Sequence, residues 1–186
     1  MRKKAIWLAI LVAVLPAVVL ASPGYSRSNA KSYADSYCRY YNPTYNCGWG
    51  ADCQNFASQV LNAGGIPQVG WNKLDSKHWF FSNCSYYANS WTVNTWFNSH
   101  AAKWPSRYQN TGWSGVREAD PVLFRFPDCS DWCHTGIYMG VDTAWEGSKA
   151  GQRVELRSQH TPERCRIWFW ENVPSGTYLK VWHVVY

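Results

Sequence analysis

Seven cysteines constrain this chain more than any other sequence feature, because each disulfide that they form ties two segments of the backbone together. An odd number leaves one cysteine free or bonded to another chain, and the other six can form three bridges in fifteen ways. Closeness along the chain favours a Cys38–Cys47 pair and, after it, a Cys129–Cys133 pair. The seven are Cys38, Cys47, Cys53, Cys84, Cys129, Cys133 and Cys165.

The N-terminal segment predicts export. Three basic residues at 2–4 precede an apolar run from Ala5 to Leu20, and Val19 and Ala21 are small side chains of the kind that a signal peptidase reads. The run is short for a membrane anchor, which needs about 20 apolar residues, and Pro16 interrupts it. We therefore predict a signal peptide at 1–21 and a secreted, extracytoplasmic protein. Cysteines normally pair in such a compartment.

The remaining residues, 22–186, predict one domain. About 165 residues are enough for a single sizeable core. Three of the eighteen Lys and Arg residues lie in the signal segment, so fifteen face twelve acidic residues and the formal charge falls from +6 to +3. Without a run of basic residues or a recognisable motif, this balance gives no case for nucleic acid. We expect a monomer with no stable membrane insertion after signal cleavage.

Cys129, Cys133 and His134 raise the question of a zinc site, which we do not favour. A structural zinc site needs four ligands, usually in two close pairs, and the sequence has no second pair of suitable spacing. The oxidising compartment also favours disulfides over metal binding by cysteine. The sequence therefore predicts no metal and no organic cofactor.

Cys53 is the natural candidate for the unpaired cysteine, because it stands where a helix should begin. Asp52 is a suitable N-cap, and apolar residues then recur at helical spacing from Phe56 to Leu61. The unpaired N–H groups and the positive end of a helix dipole favour thiolate over thiol, and the thiolate is the reactive species. The alternatives are a small core residue or half of a disulfide.

Further along the chain, helical patterns give way to strand patterns. Helical spacing predicts helices over 26–41, from Cys53 to about residue 63, and over 91–102 after a Ser90 cap. Alternation then predicts four strands, at 122–126, 135–141, 153–158 and 178–186. This order indicates an α+β fold with its N-terminal helices packed on an antiparallel sheet.

A cysteine hydrolase also needs an imidazole within hydrogen-bond reach of the thiol. His134, at the start of the predicted strand 135–141, is our candidate. A third polar group should orient that imidazole, and we expect His160, with Asp142 as the runner-up. Trp49 lies in a polar loop of the kind whose indoles stack on sugars or line a substrate groove.

Several ordered blocks resemble the bacterial putative amidase domain family, which is similar to the NlpC-type cell-wall peptidases of the papain-like superfamily. The resemblance extends from about Tyr25 to Tyr186. Asp120-Pro121 departs from the Gly-Asp that usually precedes the strand. The blocks are Asp52-Cys53-Gln54-Asn55-Phe56-Ala57-Ser58-Gln59, Ala63-Gly64-Gly65-Ile66-Pro67, Ser90-Trp91-Thr92-Val93-Asn94, Ala119-Asp120-Pro121-Val122, and His134 before Gly140-Val141-Asp142.

The resemblance implies a papain-like core of helices and sheet. It implies a catalytic triad at Cys53, His134 and His160. It also implies that Tyr45 lies beside the nucleophile, with Asp52 as a supporting residue. The expected protein is a secreted cysteine amidase or peptidase that cleaves an amide bond in peptidoglycan or a related cell-envelope peptide. Two alternatives stay open, namely a non-catalytic module that binds glycan or peptide, and an acyltransferase with the same Cys/His site.

Overall fold

The computed structural model describes residues 24–186, and these form the expected α+β arrangement of helices and an antiparallel sheet. The predicted signal peptide at 1–21 lies outside the described residues. The helices are α1 (Arg27–Tyr37), α2 (Cys53–Ala63), α3 (Asn89–Thr92) and α4 (Asn94–Lys103). The strands are β1 (Phe81–Asn83), β2 (Tyr86–Tyr87), β3 (Tyr108–Asn110), β4 (Pro121–Arg125), β5 (His134–Thr143), β6 (Arg153–Gln159), β7 (Arg164–Trp168) and β8 (Tyr178–Val184).

Six of the strands form one antiparallel sheet in the order β3-β8-β4-β5-β6-β7, and β1 pairs with β2 in a separate hairpin. The four strands predicted from alternation are confirmed as β4, β5, β6 and β8, with ends that differ by a few residues. Strands β1, β2, β3 and β7 were not predicted. In the sheet, β5 is central, and β4 and β6 flank it with antiparallel register.

Helix α2 is buried on nearly every side, because α1, α3 and β5 all pack against it. Every residue from Cys53 to Leu61 is buried. Buried polar groups require partners, and α2 supplies them: the Ser58 hydroxyl donates to the Trp91 carbonyl, and the Gln54 amide oxygen accepts from the Thr135 hydroxyl. The start of α2, with its thiol, is therefore fixed by its surroundings.

Two predicted helices end differently from the sequence pattern. The first helix, expected to reach residue 41, ends at Tyr37, and Cys38 follows in the core. The helix expected at 91–102 is divided at Val93, whose φ of −119° and ψ of 122° are extended. The expected Ser90 cap is wrong, since this residue lies within α3 and its hydroxyl donates to the His78 carbonyl.

The described cysteines form three disulfides: Cys38–Cys165, Cys47–Cys84 and Cys129–Cys133. Cys53 is free, as predicted. The Cys129–Cys133 pair is confirmed, whereas the Cys38–Cys47 pair is wrong. The fold places the end of α1 against β7, so Cys38 meets a partner 127 residues away rather than its neighbour in sequence.

In the described part of the chain, no helix combines the length and the apolar character needed to cross a membrane.

The disulfides should differ in their effect on stability, because a bridge that closes a longer loop removes more entropy from the unfolded chain. The 127-residue separation of Cys38 and Cys165 predicts a loss of about 5 kcal/mol for Cys38→Ala/Cys165→Ala, whereas the separation of 4 between Cys129 and Cys133 predicts about 2 kcal/mol. Urea unfolding of the two double variants measures both values. Equal losses would contradict the chain-entropy argument.

Candidate active site

The Cys53 thiol lies at the first residue of α2, against the start of β5. Its side chain is buried, with 4% of the residue exposed. The adjoining residues of α2 and β5 are linked by a hydrogen bond from the Thr135 hydroxyl to the Gln54 side-chain oxygen. The Asn94 side-chain amide lies 3.7 Å from the sulfur, at the N-terminus of α4. The thiol is thus held between two helix starts and the strand that begins with His134.

Burial raises the pKa of the Cys53 thiol above its ordinary value. The hydrogen bonds from Thr135, Asn94 and Gln54 favour the thiolate and lower the pKa, but they are smaller effects than the loss of hydration. The nearby negative charge of Asp52 raises it further. Burial thus opposes the stabilisation of the thiolate that we expected from the helix start.

Asp52 and His160 form a buried pair beneath the thiol. The Asp52 carboxylate lies 2.6 Å from the His160 Nδ1 atom and accepts a second hydrogen bond from the Asn55 amide. The His160 Nε2 atom donates to the Tyr37 carbonyl at 2.7 Å, and the ring stacks on Phe56. Asp52 makes no side-chain cap to α2. Both ring nitrogens of His160 are thus occupied by groups other than His134.

His134 lies at the opposite face of the sheet. Along β5, Ile137 and Met139 pack in the core beneath α2, whereas Tyr138 packs with Phe124 in a separate cluster. Residues two apart on a strand share a face, and neighbouring residues point to opposite faces. Thr135 therefore faces α2 together with Ile137, whereas His134 points to the other face. The imidazole of His134 packs instead beside the rings of Phe124 and Phe126.

The environment of His134 keeps its imidazole neutral near pH 7. Burial lowers its pKa to about 4, and the positive charge of Arg157 acts in the same direction. Gln159 opposes these effects, since a hydrogen bond with its side chain favours the protonated ring. The Nε2 atom of His134 is buried without a hydrogen bond of normal geometry.

The structure does not join Cys53 and His134 by a hydrogen bond. Both residues lie near the start of β5, because the Asn94 side chain that contacts the sulfur also lies 2.6 Å from the hydroxyl of Thr135, the residue after His134. The thiol lies toward α2 and the imidazole on the opposite face of the sheet. Catalytic contacts of this kind are often long in unliganded enzymes and shorten with substrate.

The other predicted site residues have distinct positions. Trp49 is half-buried and lines a cleft of about 370 Å³ together with Tyr87 and Asn94. Tyr45 stacks on Trp91, and its hydroxyl interacts with Asn62 near the far end of α2, away from the thiol. Its carbonyl accepts from the Asn55 amide.

Asp142 is exposed at the other end of β5, where its carboxylate pairs with Arg166 at 3.0 Å. This position is far along the strand from His134. Among residues 24–186, no group of three or more His, Cys, Asp or Glu side chains is arranged to hold a metal ion.

Two side chains at the site were not predicted from the sequence. Asn94 ends a block of the family resemblance but carries no catalytic signature of its own, so only the fold places it beside the sulfur. Gln159 directly precedes His160, and the alternation of β6 could have identified it: Gln159 shares its face with Arg157, two residues earlier, whereas His160 lies on the α2 side.

A model of the family described as "Putative amidase domain" matches residues 24–120, slightly more than half of the chain. The chain therefore belongs to this family of amidase-like proteins. The matched segment contains Cys53 and Asn94 and ends before His134. No curated protein and no solved structure matches the chain.

Acid should destabilise the fold through its buried histidines. Burial lowers the pKa of both His134 and His100 to about 4, whereas an unfolded histidine has a pKa of about 6.5. As the pH falls from about 6.5 to about 4, the unfolded state gains protons that the folded state does not bind, so the free energy of unfolding decreases. The loss should be on the order of 3 kcal/mol for each histidine, and no such loss should occur above pH 6.5.

Urea unfolding between pH 4 and pH 7 measures this dependence, and His134→Gln should remove the share that belongs to His134. An unchanged pH dependence in this variant would show that His134 does not titrate as a buried neutral group.

Proposed function

We propose that the protein is a cysteine amide hydrolase in which Cys53 is the nucleophile and His134 is the general base. The observation that carries this proposal is the position of the free thiol at a helix start, in contact with Asn94, whose side chain also reaches Thr135, the residue after His134. Membership of the amidase-like family supports the reaction class. The three disulfides support an extracytoplasmic location.

The reaction begins when substrate enters the cleft beside Asn94. The Cys53 sulfur attacks the amide carbonyl carbon while the imidazole of His134 takes the thiol proton. The C–N bond then breaks, His134 gives this proton to the leaving amine, and the acyl group stays on sulfur as a thioester. Water attacks the thioester with His134 as base, which releases the carboxylic acid and restores the thiol.

We assign activation of the Cys53 thiol to substrate binding, since both the thiol and the imidazole are neutral beforehand. Because the pKa of His134 is lowered and that of Cys53 is raised, the proton stays on sulfur in the unliganded protein. Substrate that excludes water and brings the imidazole toward the sulfur would allow the proton to transfer.

The oxyanion would be stabilised by the backbone N–H of Cys53 at the start of α2 and by the Asn94 amide. Asn94 is suited to this role because it is in contact with the sulfur and lines the cleft. The Asn94 Oδ1 atom lies 2.6 Å from the Thr135 hydroxyl oxygen, and the Asn94 NH₂ group lies 3.7 Å from the sulfur, close to where the oxyanion would form.

Peptidoglycan stem peptides are the substrate that we propose, because the predicted export and the family resemblance both favour a cell-envelope peptide. The cleft walls suit such a ligand, with two aromatic rings, Trp49 and Tyr87, beside the polar Asn94.

Incubation of the protein lacking residues 1–21 with muropeptides tests the proposal. New primary amines should appear, and Cys53→Ala should abolish their release without loss of fold, because no other described cysteine is free. Asn94→Ala should lower kcat about 100-fold through loss of an oxyanion donor. Asp142→Ala, an exposed control on β5, should keep normal activity. Binding of muropeptides without release of amines would instead indicate a binding module.

We assign the orientation of the His134 imidazole to Gln159 instead of His160, and a further pair of variants tests this assignment. Gln159→Ala should lower kcat and also lower the pKa of His134, because its hydrogen bond favours the protonated ring. Gln159→Asn should restore part of both effects. His160→Ala should instead destabilise the protein by about 3–5 kcal/mol, since it leaves the buried Asp52 carboxylate without its partner.

NMR titration of the His134 imidazole, with urea unfolding and kinetics, provides these readouts. If His160→Ala removed activity at unchanged stability while Gln159→Ala had no effect, His160 would be the orienting residue and this assignment would be wrong.

A further inference from the structure

A cavity of about 190 Å³ lies beside His134, on the face of the sheet opposite α2. Apolar side chains form part of its wall, including Phe124, Ile167 and Val173. The polar groups of the wall include two arginines, Arg157 and Arg164. No Asp or Glu is among the described residues that line it. The cavity therefore combines an apolar wall with an excess of positive charge.

Arg157 carries the unusual feature of this cavity. Only 5% of the residue is exposed. Its Nε atom donates to the Gln159 side-chain oxygen at 2.7 Å, and its Nη2 atom donates to the Glu171 carbonyl. Its Nη1 atom is buried with no partner. An arginine has five N–H donors, so this guanidinium has donors left over in a place where water has little access.

The charge of Arg157 is also unpaired. It makes no salt bridge with a described residue, although the rings of Phe124 and Phe169 lie 5.7 and 5.8 Å from its guanidinium carbon. Burial lowers its pKa to about 10, which leaves it positively charged at neutral pH, and the charge of Arg164 acts in the same direction. The Glu171 carboxylate opposes this shift, but it is bound to Ser148 at the surface. A buried charge without a paired ion is costly.

We propose that this cavity binds the free carboxylate of the substrate, on the amine side of the bond that is cleaved. A carboxylate matches the planar donors of a guanidinium. The carbon atoms attached to this carboxylate would contact the apolar wall of the cavity. His134 lines the same cavity and, in the proposed reaction, gives its proton to the leaving amine. The group attached to that nitrogen must therefore lie on the His134 side of the site.

The substrate class follows from this position and rests on the proposed hydrolase function. It is an amide whose amine-side residue is an amino acid with a free carboxylate, so that the leaving group is an amino acid rather than ammonia or an interior peptide. The bound carboxylate would also offset the positive charge of Arg157, which lowers the pKa of His134. Binding of such a substrate would thus favour the imidazolium that the reaction requires.

Binding is tested first, with the protein lacking residues 1–21 and carrying Cys53→Ser to prevent turnover. N-acetylalanine and N-acetylalaninamide are matched probes that differ only in the carboxylate. NMR titration should show saturable binding of the acid, with a raised pKa of His134, and at least tenfold weaker binding of the amide. Arg164→Gln should weaken binding of the acid about tenfold, whereas Arg153→Gln, at the exposed far end of β6, should not.

Weak binding of both probes, equal binding of both, or unchanged binding in Arg164→Gln would overturn the proposal. Arg164 is the first variant to use because it is partly exposed and forms few contacts, whereas Arg157 is buried in the core. The comparison of the two probes needs no substitution in the cavity, so it stands even if a variant fails to fold.

Turnover is tested second, with a pair of stem peptides that carry a free carboxylate or a carboxamide on the amine-side residue. The carboxylate peptide should have at least tenfold higher kcat/KM. Equal kcat/KM, together with selective binding, would overturn the assignment of the carboxylate to the substrate and indicate a free organic acid as the ligand. Absence of turnover for both peptides would overturn the hydrolase, and the substrate assignment with it, while selective binding would still establish the site.

Discussion

The buried pair of Asp52 and His160 is the interaction on which the rest of this arrangement depends. It connects three segments, because Asp52 precedes α2, His160 follows β6, and the second ring nitrogen of His160 reaches the last residue of α1. Each partner is almost fully enclosed, so neither could lose the other without leaving a polar group in the core. The start of α2, and with it the orientation of Cys53 toward β5, is held in place by this contact.

The residues of the candidate active site lie on both faces of the sheet. The thiol, Thr135 and the Asp52–His160 pair lie toward α2, whereas His134, Gln159 and Arg157 lie on the other side. In the proposed reaction, the proton would pass between the two faces near His134, the first residue of β5. Burial is the largest cause both of the raised pKa of Cys53 and of the lowered pKa of His134.

Much of this organisation could be predicted from the sequence, and the exceptions have physical reasons. The helix at Cys53, the free thiol and the strands β4, β5, β6 and β8 follow from periodicity and cysteine number. Strand β7 was missed although Cys165 and Ile167 alternate with charged residues, because it is short and lies in a charged segment. We expected His160 to orient His134, because the two residues were predicted to lie at the ends of neighbouring strands. The structure pairs His160 with Asp52 instead, because the His160 side chain lies on the α2 side of β6. The sequence pattern did not show which side it occupies.

The Cys38–Cys165 bridge has a consequence for folding. Cys38 is synthesised before Cys165, and Cys47 and Cys53 are the nearest cysteines to it along the chain. A bond between Cys38 and either of them would differ from the pairing in the folded protein, and a bond to Cys53 would remove its free thiol. The bridge to Cys165 can form only when β7 lies against the end of α1, so the free state of Cys53 depends on residues near the far end of the chain.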